Sequence, residues 1–193
     1  MVPMVDVIEK ILLFGTILFV FCSCTKDDEQ VLYFLGDSMI ANWDVESAFP
    51  NRITRNLGVD GLHVEGLRNT NISDMSAEVV VLVGTNDLHG HMSDDELTSY
   101  SDIYEKEICQ IGGGRIFVIS VLPTSDKDKN RIIEKFNKEM CQRLKQYMHV
   151  TFIDCHNAFL DEDGGIKEDL FRDGLHLNDY GYILLGNHVK PFL

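Results

Sequence analysis

From Gln30 onward the chain alternates between two patterns. Short apolar runs fall at residues 31–35 (VLYFL), 52–56 (RITRN), 78–83 (EVVVLV), 115–122 (RIFVISVL) and 150–154 (VTFID). Three of them are almost unbroken Val, Ile, Leu and Phe, as expected of strands buried on both faces of a parallel sheet. Between them the spacing predicts helices over about 40–49, 62–75, 94–110 and 128–148, and a last one starting near Asn178. In the fourth, Ile132, Ile133, Phe136, Met140, Leu144 and Tyr147 recur at three- and four-residue steps, one face of a helix. Strand and helix in alternation predict right-handed βαβ units and a three-layer α/β/α sandwich on a parallel sheet of about five strands. Ligands of such sheets gather at the carboxyl ends of the strands, so the chemistry is expected just after the apolar runs.

The first thirty residues follow a different pattern. Residues 11–24 (ILLFGTILFVFCSC) form an apolar stretch ending in small residues, followed at once by the polar TKDDEQ. The stretch is shorter than the roughly 20 residues of a membrane span and suits the core of a signal peptide. It resembles a bacterial lipoprotein signal, with Cys24 as the residue that would carry lipid. Phe21, where Leu is usual, and a leader with Asp6 and Glu9 against Lys10 depart from that pattern. The alternative is an uncleaved single-span anchor. Both readings give an exported, tethered chain in the periplasm or at the cell surface. The expected organisation is a signal over 1–24, a short solvated tether over 25–30 and one domain over 31–193.

Composition narrows the partners. The 193 residues suit one domain with a real core. A formal net charge of −14, from 31 acidic and 17 basic residues, argues against binding DNA or RNA through phosphates. Beyond Cys22 and Cys24 the cysteines are Cys109, Cys141 and Cys155, without a C-x-x-C pair, so zinc and dithiol redox chemistry lack support. Free thiols are expected there, with one disulfide left open.

Four short motifs follow the predicted strands or close the chain: GDSM at 36–39, NLGVDG at 56–61, GTND at 84–87 and DGLHLN at 173–178. Alone, Ser38 would be read as a helix cap. Together the motifs contain what acyl transfer needs. A serine attacks poorly unless a base takes its proton. Histidine is the usual base, and a carboxylate must orient its ring. Hydrogen-bond donors must face the developing oxyanion. Ser38 can be the nucleophile, His176 the base and Asp173 its orienter. The Ser38 N–H, the Gly58 N–H and the Asn86 amide can be the donors.

With these residues in this order the chain resembles the SGNH hydrolases of the GDSL esterase/lipase group, over 36–178. The resemblance implies a flavodoxin-like α/β/α fold, Ser38 as nucleophile, Gly58 and Asn86 as oxyanion donors, and Asp173 with His176 as the remaining catalytic pair. Met39 stands where the nominal signature has Leu, at a position without chemistry.

Several other residues border these motifs. Asp37 and Asp87 read first as loop braces. Asp37, Asp60, His89 and Pro123 are also candidate substrate contacts. Asp87, His89 and His91 could be taken for a metal site, but a His-x-His in a glycine-containing loop is weak support, and no metal or organic cofactor is expected. Met39, Ile40, Trp43 and Phe49 are expected to pack the first helix rather than line a subsite. The expected activity is hydrolysis of a carboxylic ester through an acyl-serine, with a carbohydrate O-acetyl or other short-acyl ester ranked above a lysophospholipase or thioesterase-like lipid substrate. The rival readings are a non-catalytic carbohydrate-binding lipoprotein and an acyltransferase. The pattern sets no oligomeric state.

Overall fold

The computed structural model describes residues 30–70, 72–74 and 76–193. The signal, Cys24 and residues 25–29 of the tether lie outside the described residues. The elements are β1 (Leu32–Gly36), α1 (Ser38–Ala41), α2 (Val45–Ala48), β2 (Thr54–Gly58), β3 (Glu78–Leu82), α3 (Asp94–Cys109), β4 (Arg115–Ile119), α4 (Lys127–Arg143), β5 (Val150–Ile153) and α5 (Asp179–Val189), with short 3-10 turns between them. The five strands form one sheet in the order β2-β1-β3-β4-β5, parallel throughout, as the alternating pattern predicts.

Side chains leave a strand alternately to its two faces, and the sheet accordingly carries two cores. Leu35, Val79, Val81, Ile116 and Val118 pack against Tyr104 of α3 and Phe136 and Met140 of α4. On the other face Phe34, Val80, Leu82, Phe117 and Ile119 meet Ile40, Trp43 and Phe49 on one side and Leu185 and Val189 of α5 on the other. All five residues of β3 are buried, and its Val79–Leu82 run is accordingly continuous apolar rather than alternating. Ser93 and Glu96 start α3 with a capping box, and Asp126 caps α4 by accepting from the Asp128 and Lys129 N–H groups.

The structure departs from the expected helices in three places. The single helix expected over 40–49 is two one-turn helices. Asp44 restarts the chain by accepting from the Ser47 N–H, so Trp43 turns inward instead of continuing the helix. Trp43 is 3 % exposed and lies against Phe34, Phe49 and Tyr182 at centroid distances of 5.4, 5.7 and 5.9 Å. With Met39, Ile40 and Phe49 equally buried, this cluster packs the sheet. The helix expected over 62–75 is only a 3-10 run, Val64–Asn69; beyond it Asp74 accepts from both the N–H and the hydroxyl of Ser76, a local turn that competes with helix. The helix expected to reach 148 ends at Arg143, and Met148 is fully exposed.

The path through the sheet positions the site. From β1 the chain moves outward to β2, then returns across β1 to β3 on its other side. The crevice between the carboxyl ends of β1 and β3 is therefore the point where the winding reverses, the usual ligand site of an open parallel sheet. The GDSM motif leaves β1 and the GTND motif leaves β3.

Candidate active site

Asp37 follows β1 directly and fixes the residue after it. Its backbone N–H donates to Leu82 O on β3, and its Oδ1 accepts from the Met39 N–H at 3.0 Å, which makes it the N-cap of α1. Ser38 is thus held at the first residue of α1, facing the crevice. A four-residue helix carries little macrodipole, so a helix field adds little at the Ser38 N–H. Two further bonds clamp this turn: Asn42 Nδ2 donates to Ser38 O at 2.7 Å, and the Tyr182 hydroxyl donates to Met39 O at 2.9 Å.

Asp37 itself is 1 % exposed, and its Oδ2 has no hydrogen-bond partner among the described residues. Burial pushes its carboxyl up to about 6, and the nearby Asp87 adds to this; the Met39 N–H, His176 and the Thr85 N–H oppose it. Tyr104 and the half-buried Lys129, whose ammonium donates to Thr85 O, also feel its charge. In the unfolded chain the same group titrates at 3.8. Between these values the folded protein holds a proton that the unfolded chain does not, so stability falls as pH rises from about 4 to about 6. Asp37→Asn keeps the acceptor for Met39. It is expected to remove this slope, a gain of about 1–3 kcal/mol over the wild type above pH 7 relative to pH 4. Urea unfolding at pH 4, 5, 6, 7 and 8 checks it, and an unchanged slope would assign the proton elsewhere.

The partner of Ser38 comes from the other end of the chain. Residues 171–177 form a narrow loop closed by the Phe171–Leu177 bridge and by the Arg172 N–H donating to His176 O at 2.8 Å. Gly174 sits at its tip at φ +77°, its carbonyl accepting from the Ser125 N–H; a Cβ there would lie 2.6 Å from Ser125 Oγ. The loop brings His176 Nε2 to 3.0 Å from Ser38 Oγ, across 138 positions of sequence. On the far side of the ring, His176 Nδ1 lies 2.8 Å from Asp173 Oδ2. A carboxylate only accepts, so Nδ1 carries the proton and Nε2 offers its lone pair to the serine hydroxyl. Asp173 Oδ1 meanwhile accepts the His176 and Leu175 backbone N–H groups at 2.7 and 3.1 Å. These bonds hold the Asp173 carboxyl at about 2, the His176 ring contributing most and the His176 backbone N–H next.

The donor candidates are placed unequally. Asn86 lines the crevice; one hydrogen of its amide goes to Leu62 O at 3.0 Å, leaving the second for a ligand. Gly58 ends β2 beside Gly36, so tight against α1 that a Cβ would fall 2.2 Å from Ala41 N. Its N–H donates to Asn56 Oδ1 at 2.9 Å, within a brace in which Asn56 Nδ2 also donates to Ile40 O and Trp43 O.

The crevice is an open cavity of about 510 Å³ lined by Ser38, Asn42, Asp60, Gly61, Asn86, Arg172, Asp173, Leu175 and His176. Of the four candidate substrate contacts, Asp60 is in it. Asp37 is buried beneath the serine, Pro123 is buried after β4, and His89 is exposed on the turn beyond Asn86; none of these three lines the cavity. Asp87 braces the loops, accepting from the Val64 N–H and pairing with His63 Nδ1 at 3.1 Å. Among the described residues no group of three or more His, Cys, Asp or Glu is arranged to hold a metal ion, and Cys109, Cys141 and Cys155 are free thiols. Sequence reasoning missed Asn42, Asn56, Tyr182 and Arg172. Asn42 stands four residues after Ser38, within reach of its carbonyl, and Arg172 directly precedes Asp173; those spacings were the available signals. Asn56 and Tyr182 reach α1 through tertiary packing alone.

Residues 34–184 match the model of the GDSL-like Lipase/Acylhydrolase family. The chain belongs to this family. Solved structures share the acylhydrolase fold. One is of a Streptococcus pneumonia protein given as a candidate platelet activating factor, with a TM-score of 0.71, 22% identity and 97% of each chain covered. Another is a member of the lipolytic protein G-D-S-L family from Veillonella parvula, with a TM-score of 0.68, 20% identity, and 84% of this chain and 97% of that one covered. A curated relative is the N-acylneuraminate cytidylyltransferase of Escherichia coli, 26% identical over 180 residues; the match takes in 86% of this chain but only 41% of the relative's length.

Proposed function

We propose that this acylhydrolase is a serine ester hydrolase that works through an acyl-serine intermediate and prefers a short acyl group on a carbohydrate. The observation that carries the reading is the continuous hydrogen-bonded line from Asp173 Oδ2 through His176 to Ser38 Oγ, at 2.8 and 3.0 Å. In the proposed course, His176 Nε2 takes the Ser38 proton as Oγ attacks the ester carbonyl. Asp173 stabilises the imidazolium that forms. The Ser38 N–H and the free hydrogen of the Asn86 amide receive the oxyanion. The Gly58 N–H joins them by exchanging Asn56 Oδ1 for the oxyanion. His176 then gives its proton to the leaving alcohol. A water deprotonated by the same nitrogen attacks the acyl-serine and frees the acid.

The lining of the cavity supports the substrate ranking. Leu175 is its one apolar side chain larger than glycine; the rest present hydroxyl, amide, carboxylate, guanidinium or imidazole groups. A long acyl chain gains about 0.8 kcal/mol per methylene only where apolar surface receives it. A polyol gains from donors and acceptors. The name of the curated relative, which refers to the sugar N-acylneuraminate, points the same way.

A panel tests this reading. Acetylated monosaccharides and 4-nitrophenyl esters from acetate to decanoate are expected to give the highest kcat/KM at acetate and a fall of about tenfold or more by octanoate. Rising kcat/KM with chain length would reverse the ranking toward lipid esters. Acetyl transfer to an added sugar in preference to water would make the protein an acyltransferase.

A further inference from the structure

Arg172 stands apart from the other arginines. Arg52, Arg68, Arg115, Arg131 and Arg143 each pair with a carboxylate, and Arg55 donates to Thr54 O. The Arg172 guanidinium has neither a carboxylate within 4.0 Å nor a hydrogen bond among the described residues. Yet it lines the same cavity as Ser38 and His176, and its backbone is tied to His176 by the 2.8 Å bond that closes the loop. Arg172 is solvent-exposed, and what sets it apart is the combination of a place beside the reacting groups with the lack of a protein partner among the described residues.

The carboxylates nearby do not supply one. Asp173, its sequence neighbour, is bonded to the His176 ring and to two backbone N–H groups. Asp60 lines the cavity too, but lies beyond ion-pair distance of the guanidinium. A guanidinium presents a planar fork of N–H donors that matches the two oxygens of a carboxylate or phosphate. Lining a cavity that already holds the reacting groups, it is available to an oxyanion brought by the substrate. Asp60 and Asn42 then serve the neutral hydroxyls.

We infer that Arg172 is a specificity residue that pairs with an anionic group on the substrate, so that the preferred ester is that of an acidic sugar. The inference rests on the hydrolase reading above and narrows its substrate. A single guanidinium in a cavity that also holds Asp60 favours a monoanion, hence a carboxylate over a phosphate dianion. Two simpler roles compete with this one. Arg172 could brace the loop, or it could steady the oxyanion of every ester alike. Both would affect neutral and acidic substrates equally.

The experiment compares acetyl esters of methyl glucoside, methyl glucuronoside and glucose 1-phosphate, with 4-nitrophenyl acetate as the neutral reference. In wild type the glucuronoside ester is expected to exceed the glucoside ester in kcat/KM by about tenfold or more, the size of one charge-assisted fork. Arg172→Gln is expected to collapse that ratio toward one, mainly through KM, and Arg172→Lys to restore part of it. Binding of glucuronate, inorganic phosphate and glucose to the folded protein is followed in parallel by calorimetry. Failure to hydrolyse any ester, with glucuronate binding that Arg172→Gln abolishes, would sink the hydrolase reading and leave the anion site standing. Equal rates on acidic and neutral esters, or a ratio that survives Arg172→Gln, would overturn the inference. A preference for the phosphate ester would replace carboxylate by phosphate as the ligand.

Discussion

Ser38→Ala is expected to lower kcat on 4-nitrophenyl acetate by about a million-fold, to the level that binding and oxyanion donors alone sustain. The size follows from the chemistry lost. Without Oγ no acyl-enzyme forms, and the pairing of Asp173 with His176 has no nucleophile to serve. The structural cost is small by comparison. Ser38 Oγ has one hydrogen-bond partner, His176 Nε2, while α1 is held by Asp37, Asn42 and Tyr182 through other atoms. Losing one partly exposed hydrogen bond costs about 1 kcal/mol. The urea midpoint should therefore move little while activity vanishes, and that contrast separates a missing nucleophile from a damaged fold. A fluorophosphonate probe gives the same answer covalently: wild type labels at Ser38 and Ser38→Ala does not. Substantial turnover by the variant would refute the serine mechanism, and an unlabelled wild type would favour a sugar-binding protein that keeps the fold.

The fold could be read from the sequence because its central strands, β1, β3 and β4, are buried on both faces. Residues 79–82 are apolar without interruption since β3 has a core on each side. The four motifs were readable for a related reason: each ends or follows a strand or lies in the last loop, and the parallel topology brings strand ends together whatever the lengths between them. What could not be read depends on contacts between distant residues. Nothing in the local pattern after Ser38 says that Trp43 must turn into a cage of Phe34, Phe49 and Tyr182, so that pattern alone predicts one helix straight through it. Asn56 looked like the start of the glycine motif and is a brace that holds the Gly58 N–H and two carbonyls beside α1. The state of Arg172 is likewise invisible in sequence, because lacking a partner is a property of its surroundings.

Asp173→Asn is expected to cost about ten-thousand-fold in kcat while leaving the loop in place. The two oxygens of Asp173 have different duties. Oδ1 receives the His176 and Leu175 backbone N–H groups, and an asparagine can keep those bonds only by turning its own oxygen toward them. Its NH2 then faces His176 Nδ1, where Oδ2 stood at 2.8 Å. Two donors cannot share that contact, so the ring proton moves to Nε2, and Nε2 meets Ser38 Oγ as a donor instead of a base. The wrong tautomer, rather than a lost position, accounts for the loss. The pH dependence carries the signature. In wild type the Asp173 carboxyl is held at about 2, so it stays ionised and contributes in full across the working range, failing only as pH falls toward that value. In the asparagine variant a base is missing, and hydroxide can replace it, so kcat is expected to climb with pH where the wild type is flat. Rates from pH 5 to 10 on both proteins measure this. A variant that keeps more than about a tenth of wild-type kcat, or that shows no rise toward alkaline pH, would mean that Asp173 only shapes the loop and that another group orients His176.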